Sequence, residues 1–95
     1  MLKITINKEP EAVTLRLEGR LSGPWVEEVR KTWRSVAAQG SNTWRIDLRG
    51  LTHMSAEGKE MLADIRSQSG ADFIADTPLT KYFADQAQRR RSNES

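Results

Sequence analysis

Residues 46–62 read IDLRGLTHMSAEGKEML. Within them His53, Ser55, Glu57, Gly58 and Lys59 bring an imidazole, a hydroxyl, a carboxylate and a glycine–lysine pair into seven residues. Gly58-Lys59 could close a phosphate-binding loop, but that motif requires Gly, four residues, then Gly-Lys-Ser/Thr. His53 stands where its first glycine belongs, and Glu60 where its hydroxyl belongs. His53 and Ser55 could act as base and nucleophile, yet they are two residues apart with no orienting acid at a recognisable spacing. Asp47 and Glu57 are the acidic residues near this stretch. A carboxylate pair hydrolyses a glycoside only across a substrate cleft, of which so small a chain gives no sign. One histidine and no cysteine leave too few ligands for a metal site. These residues predict no enzyme, no metal and no cofactor.

They do fit a strand that delivers the start of a helix. Trp44, Ile46 and Leu48 alternate with Arg45, Asp47 and Arg49, the period of a strand with one buried face. A helix is predicted to start near Ser55, with Met61, Leu62 and Ile65 on its apolar side and Gly70 at its end. Ser55 is a good N-cap, because its hydroxyl can accept a bond from an N–H one turn in. Glu57 complements the positive end of the helix dipole. Gly58 is costly inside a helix, by about 1 kcal/mol relative to alanine. Its place is explained if the backbone there closely approaches a neighbouring strand or a partner. The carboxyl ends of parallel strands are where such folds hold ligands. The loop expected at residues 50–55, with the free N–H groups of the helix start, suits an anion, including a phosphate carried on a side chain.

The remaining elements follow from the same periodicities. Leu2, Ile4 and Ile6 alternate with Lys3, Thr5 and Asn7 in a first strand, which Pro10 stops. Val13, Leu15, Leu17 and Leu21 mark a second strand, antiparallel to the first across a short link. Ser22 or Gly23 could cap a helix with Pro24 in its first turn. Trp25, Val26, Val29, Trp33, Val36 and Ala37 follow at helical spacing, with Gly40 as the stop. Residues 71–76, ADFIAD, form a fourth strand ended by Pro78. A last helix carries Leu79, Tyr82, Phe83 and Ala87 on one face, and residues 89–95 form a polar, disordered tail beyond a domain of residues 1–88.

Strand–helix–strand crossovers join parallel strands with right-handed geometry. A sheet covered on both faces would have near-continuous apolar strands. Here Lys3, Thr5, Arg16, Glu18, Arg45 and Asp47 alternate outward instead. The expected fold is therefore an α/β single domain with a mixed sheet of about four strands and about three helices mainly on one face. The opposite face is solvated or faces a partner.

With 95 residues the chain suits one domain. Its net charge of +2 is too small to draw nucleic acid or membrane by field alone. No stretch reaches the roughly 20 apolar residues of a membrane span. No signal-peptide pattern opens the sequence, so a cytoplasmic location is expected. Arg89-Arg90-Arg91 reads as a solvated helix end, with no aromatic platform beside it for nucleic acid. Trp25 and Trp33, on roughly one helical face, read as core, although an exposed Trp25 could anchor a partner. Trp44 reads as core.

Taken together, LEGRLSGP at residues 17–24, IDLRGLTHMSAEG at residues 46–58 and the order of elements resemble the STAS domain of bacterial anti-sigma factor antagonists. Asp47, Leu48, Gly50, Leu51 and Gly58 match the family pattern in place. The family's Asp falls on Ser55, its phosphorylated Ser on Ala56 and its next Ser or Thr on Glu57. The resemblance implies a non-catalytic protein that binds an anti-sigma factor with a kinase-like ATP-binding fold, in a partner-switching system of transcription regulation. In the family, the unmodified domain binds and phosphate breaks the complex. Alanine has no hydroxyl, so Ala56 cannot take the phosphate. The partner-binding loop and helix start are then Thr52, His53, Met54, Ser55, Ala56, Glu57 and Gly58. Three outcomes stay open for the switch: permanent binding competence, a permanently inactive state caused by the Glu57 charge, or a different role. Ser55, one position off, could replace the missing phosphoacceptor. The alternative functions are an accessory subunit of a lipid or anion transport system and a small-ligand binding module. Oligomeric state is open.

Overall fold

The protein is described by a computed structural model covering residues 2–38 and 43–89. Seven elements follow one another: β1 (Leu2–Lys8), β2 (Ala12–Leu21), α1 (Pro24–Ala37), β3 (Thr43–Met54), α2 (Ala56–Ser69), β4 (Asp72–Ile74) and α3 (Pro78–Arg89). They build one sheet in the order β1-β2-β3-β4. β1 and β2 are antiparallel, whereas β2–β3 and β3–β4 are parallel. The turn between β1 and β2 is closed by the Glu9 N–H donating to the Ala12 carbonyl at 2.8 Å.

The core is the meeting of the period-two and period-3.6 patterns. Val13, Leu15, Leu17 and Leu21 of β2, with Trp44, Ile46, Leu48 and Leu51 of β3, are buried in one cluster with the inward residues of all three helices. α1 packs on β2, while α2 and α3 pack on β3 and on each other. The Trp33 and Trp44 rings lie 6.1 Å apart and tilted, joining α1 to the start of β3. Trp25 is half-buried against the same cluster. On the other side of the sheet Lys3, Thr5, Arg16 and Arg45 are exposed, as the alternation predicts, whereas Glu18 is half-buried and Asp47, expected outward with them, is buried and bonded to Arg49.

Three elements differ from the sequence-based expectation. Residues 50–54 are not a loop: β3 continues to Met54, and Ser55 alone separates it from α2. Two register shifts against β2, between Arg16 and Glu18 and between Gly19 and Arg20, let β3 absorb extra residues while still pairing. The shifts break the period of two after Leu48 and bring Leu51 back into the core, so the pattern no longer reads as a strand. In α3, Leu79 and Tyr82 point outward, 48% and 57% exposed. The buried stripe is instead Thr80, Phe83, Ala84 and Ala87, which a helix places on one face. β4 is shorter than expected, Asp72–Ile74 rather than residues 71–76. At the start of α1 the N-cap position is Gly23, one of the two residues expected there, with no side-chain cap bond, and Pro24 opens the first turn as expected. That helix ends at Ala37; Gly40 lies outside the described residues. α3 runs through Arg89, and residues 90–95 are likewise outside the described residues.

Candidate functional site

The β3–α2 junction is held by its backbone. β2 and β3 end side by side, with Arg20 opposite His53 and Leu21 opposite Met54. The Ser55 N–H donates to the Leu21 carbonyl at 2.9 Å, one residue past the ladder. The Thr52 hydroxyl donates to the Gly19 carbonyl at 2.9 Å, a second tie from β3 to β2. Ser55 is extended (φ −75°, ψ 170°), and its Oγ accepts the Gly58 N–H at 3.1 Å while its carbonyl accepts the Lys59 N–H at 2.9 Å. This is the geometry of an N-cap. The N–H groups of Ala56 and Glu57, in the first turn, have no protein partner among the described residues.

Gly58 explains how the junction fits together. A Cβ built on it would lie 3.0 Å from Leu21 Cγ and 3.1 Å from the Leu21 carbonyl oxygen. Both are immobile, since Leu21 is fully buried and its carbonyl already holds the Ser55 N–H. The close approach that a mid-helix glycine signals is therefore to the neighbouring strand. Gly58 faces inward, and Ala56 and Glu57 face solvent.

The seven site residues thus fall into two sets. Thr52, His53, Ala56 and Glu57 are exposed; Met54 and Ser55 are half-buried, and Gly58 is buried. The His53 side chain has neither a hydrogen bond nor an ion pair among the described residues, and Ser55 Oγ is engaged with backbone rather than with an imidazole. Nothing in this arrangement assembles a nucleophile with a base. Among the described residues there is also no group of three His, Cys, Asp or Glu side chains able to hold a metal ion. None of the described helices is long and apolar enough to cross a membrane.

Asp47 sits elsewhere, on the uncovered sheet face. It is 3% exposed. Its Oδ1 accepts from both the backbone N–H and Nε of Arg49 at 3.0 Å, and its Oδ2 accepts from Arg49 Nη2 at 2.9 Å. These bonds from Arg49 hold the carboxyl below the usual carboxylate range, against burial, which acts the other way. The pair lines a groove of about 400 Å³ with Thr5, Thr14, Arg16 and Ile74. Sequence reasoning placed Asp47 near the loop and did not see this clamp. The signal was there: residues two apart on a strand share a face.

Comparison with known proteins agrees with this architecture. The family model for the "Mlab, STAS domain" matches residues 4–72. The chain belongs to this STAS-domain family. No curated protein sequence matches it. Among solved structures, this STAS domain is similar to an anti-sigma factor antagonist from Mycobacterium paratuberculosis, at TM-score 0.75 and 14% identity, over 98% of this chain and 79% of that one. It is also similar to an uncharacterised protein of the DUF3478 family from Shewanella loihica, which has a SpoIIAA-like fold, at TM-score 0.61 and 16% identity, over 97% and 76% of the two chains. At such identities the likeness concerns the fold. Ala56 is the first residue of α2.

Proposed function

We propose that this STAS domain is a non-catalytic binding protein that acts in the cytoplasm by docking its β3–α2 junction onto a regulatory protein, an anti-sigma factor of the kinase-like ATP-binding type, without a phosphorylation switch. The observation that carries the proposal is the split at the junction. The backbone of Ser55 and Gly58 is locked to Leu21, while Ala56 and Glu57 stand in solvent on a rigid helix start. A preorganised, exposed tip needs little ordering on binding, which favours affinity. Thr52 and His53 extend the contact surface along the strand end, Met54 adds a half-buried apolar edge, and the domain proper spans residues 1–88.

Ala56 also favours a second reading, an accessory subunit of a lipid or anion transport system. A subunit that stays bound has no use for a hydroxyl whose phosphorylation would release it.

Affinity capture from the native cell tests both readings. Wild type is expected to retain an anti-sigma kinase, and Glu57→Lys to lose it, with unchanged circular dichroism. Capture of transporter components alone, including an ATPase subunit, would overturn the first reading in favour of the second. With the captured kinase and ATP, the Ala56→Ser variant is expected to be phosphorylated and released, whereas wild type stays bound.

A further inference from the structure

The uncovered sheet face carries a row of side chains that crosses every strand. The register sets Thr5 of β1 opposite Arg16 of β2, Arg16 opposite Asp47 of β3, and Asp47 opposite Ile74 of β4. With Asn7, Thr14 and Arg49 this row lines the groove of about 400 Å³, a volume that suits a small molecule. None of the seven junction residues belongs to it. Burying a carboxylate is unfavourable unless bonds compensate it. Arg49 compensates Asp47, and the same bonds immobilise Arg49. Its side chain is 48% exposed, yet Nε and Nη2 are both anchored on the carboxylate. The Nη1 group and the second Nη2 hydrogen stay free for another acceptor.

The geometry points to this groove as a binding site for a phosphate group carried by a small molecule, gripped by Arg49 and Arg16 and by the hydroxyls of Thr5 and Thr14. Arg16 is available: its contact with Glu18 is an ion pair at 3.4 Å between partly exposed side chains, with no hydrogen bond. Such a pair is weak and yields to a better acceptor. The side chains of Thr5, Asn7 and Thr14 make no hydrogen bond among the described residues. These donors stand on three strands, so they approach a ligand from several directions. A tetrahedral phosphate offers acceptors to all of them, and guanidinium groups suit it. Two guanidiniums against the single Asp47 carboxylate leave one positive charge in excess in the groove, which matches a singly charged phosphate. Half-buried Ile74 ends the row with an apolar wall for the body of the molecule. An arginine already held in place needs little further ordering on binding.

Amide NMR titration of the whole chain with inorganic phosphate and with glycerol 1-phosphate, against sodium chloride at matched ionic strength, tests the site. Both probes are expected to give saturable shifts at Thr5, Thr14, Arg16 and Arg49, with a Kd of about 1 mM or below for the ester. Removing Arg49 would strand the buried Asp47 charge and threaten the fold, so Arg16 is the residue to change. Arg16→Gln leaves the Asp47–Arg49 bonds in place and is expected to weaken ester binding about tenfold, with unchanged Tm. Thr14→Val is expected to weaken it about threefold. Arg20→Gln removes the same charge from the same strand outside the groove and is expected to leave binding unchanged. No saturable shift with about 10 mM glycerol 1-phosphate, or shifts centred on Ala56 and Glu57 at the start of α2, would overturn the inference. So would an equal loss in Arg16→Gln and Arg20→Gln, or binding to phosphatidylglycerol vesicles with none to the soluble probes.

Discussion

Gly58 is the residue through which the junction can be tested most sharply. Two effects oppose each other in Gly58→Ala. Alanine favours the helix by about 1 kcal/mol. Its Cβ, however, meets Leu21 Cγ at 3.0 Å and the Leu21 carbonyl oxygen at 3.1 Å, where contact begins nearer 3.4 Å. Relief requires moving a buried leucine or a carbonyl that holds the Ser55 N–H. Overpacking of this kind costs about 1–3 kcal/mol, so steric overlap wins. Chemical denaturation should show Gly58→Ala to be less stable than wild type by about 1 kcal/mol; a gain in stability would mean the helix is not pressed against Leu21 as described. The sequence revealed that Gly58 needed a close neighbour and that Ser55 would cap α2. It left open whether the neighbour was a strand or a partner, because a missing side chain records a close approach and not its direction. His53 shows the same limit: its type suggested chemistry, and only the fold shows its side chain without a hydrogen bond or ion pair among the described residues.

At the scale of elements, legibility followed periodicity. β1, β2, α1, the first half of β3 and α2 were readable because their apolar residues repeat at a single period. The second half of β3 was not, since its register shifts displace Leu51 from the period of two. α3 was found, but its face was turned: Leu79 and Tyr82 drew the apolar stripe toward themselves, while the buried position is held by Thr80. Thr80 is inward because it belongs to a cap. Thr77 Oγ1 accepts the Thr80 N–H at 3.1 Å, and Thr80 Oγ1 accepts the N–H groups of Thr77 at 3.0 Å and Asp76 at 3.1 Å. This is a capping box with threonine in the place usually taken by Glu or Gln. Thr80→Val keeps the shape and removes the hydroxyl, leaving two N–H groups without their acceptor. Because Asp76 and Thr77 are themselves exposed, water offsets part of the loss, and the expected cost is about 1 kcal/mol. Thermal unfolding of Thr80→Val should show this as a lowered Tm, and an unchanged Tm would remove the hydroxyl from the account of α3.

For the whole molecule, the one-sided layering leaves a charged sheet face in contact with water, and that face should govern the response to acid. Asp47 is the buried acidic group on it, ionised and held by three hydrogen bonds from Arg49. Its carboxyl titrates lower in the folded chain than in the unfolded one, where a value of about 3.9 applies. The folded state therefore binds its proton less readily, and linkage gives the sign: this contribution to stability is fully present above about pH 3.9 and is lost as pH falls through the lower folded value. Asp47→Asn keeps the size of the side chain but removes both the charge and the titration. Unfolding free energies measured by denaturant from pH 7 downward should put the variant below wild type, with a constant gap until about pH 5 and a narrowing one beneath it. A gap that stayed constant through pH 3 would show that Asp47 titrates alike in both states, and that its three bonds to Arg49 do not favour the charged form. Exposed carboxylates such as Glu57 at the helix tip are common to both proteins in this comparison, so the difference between the two curves isolates the open face from the docking edge.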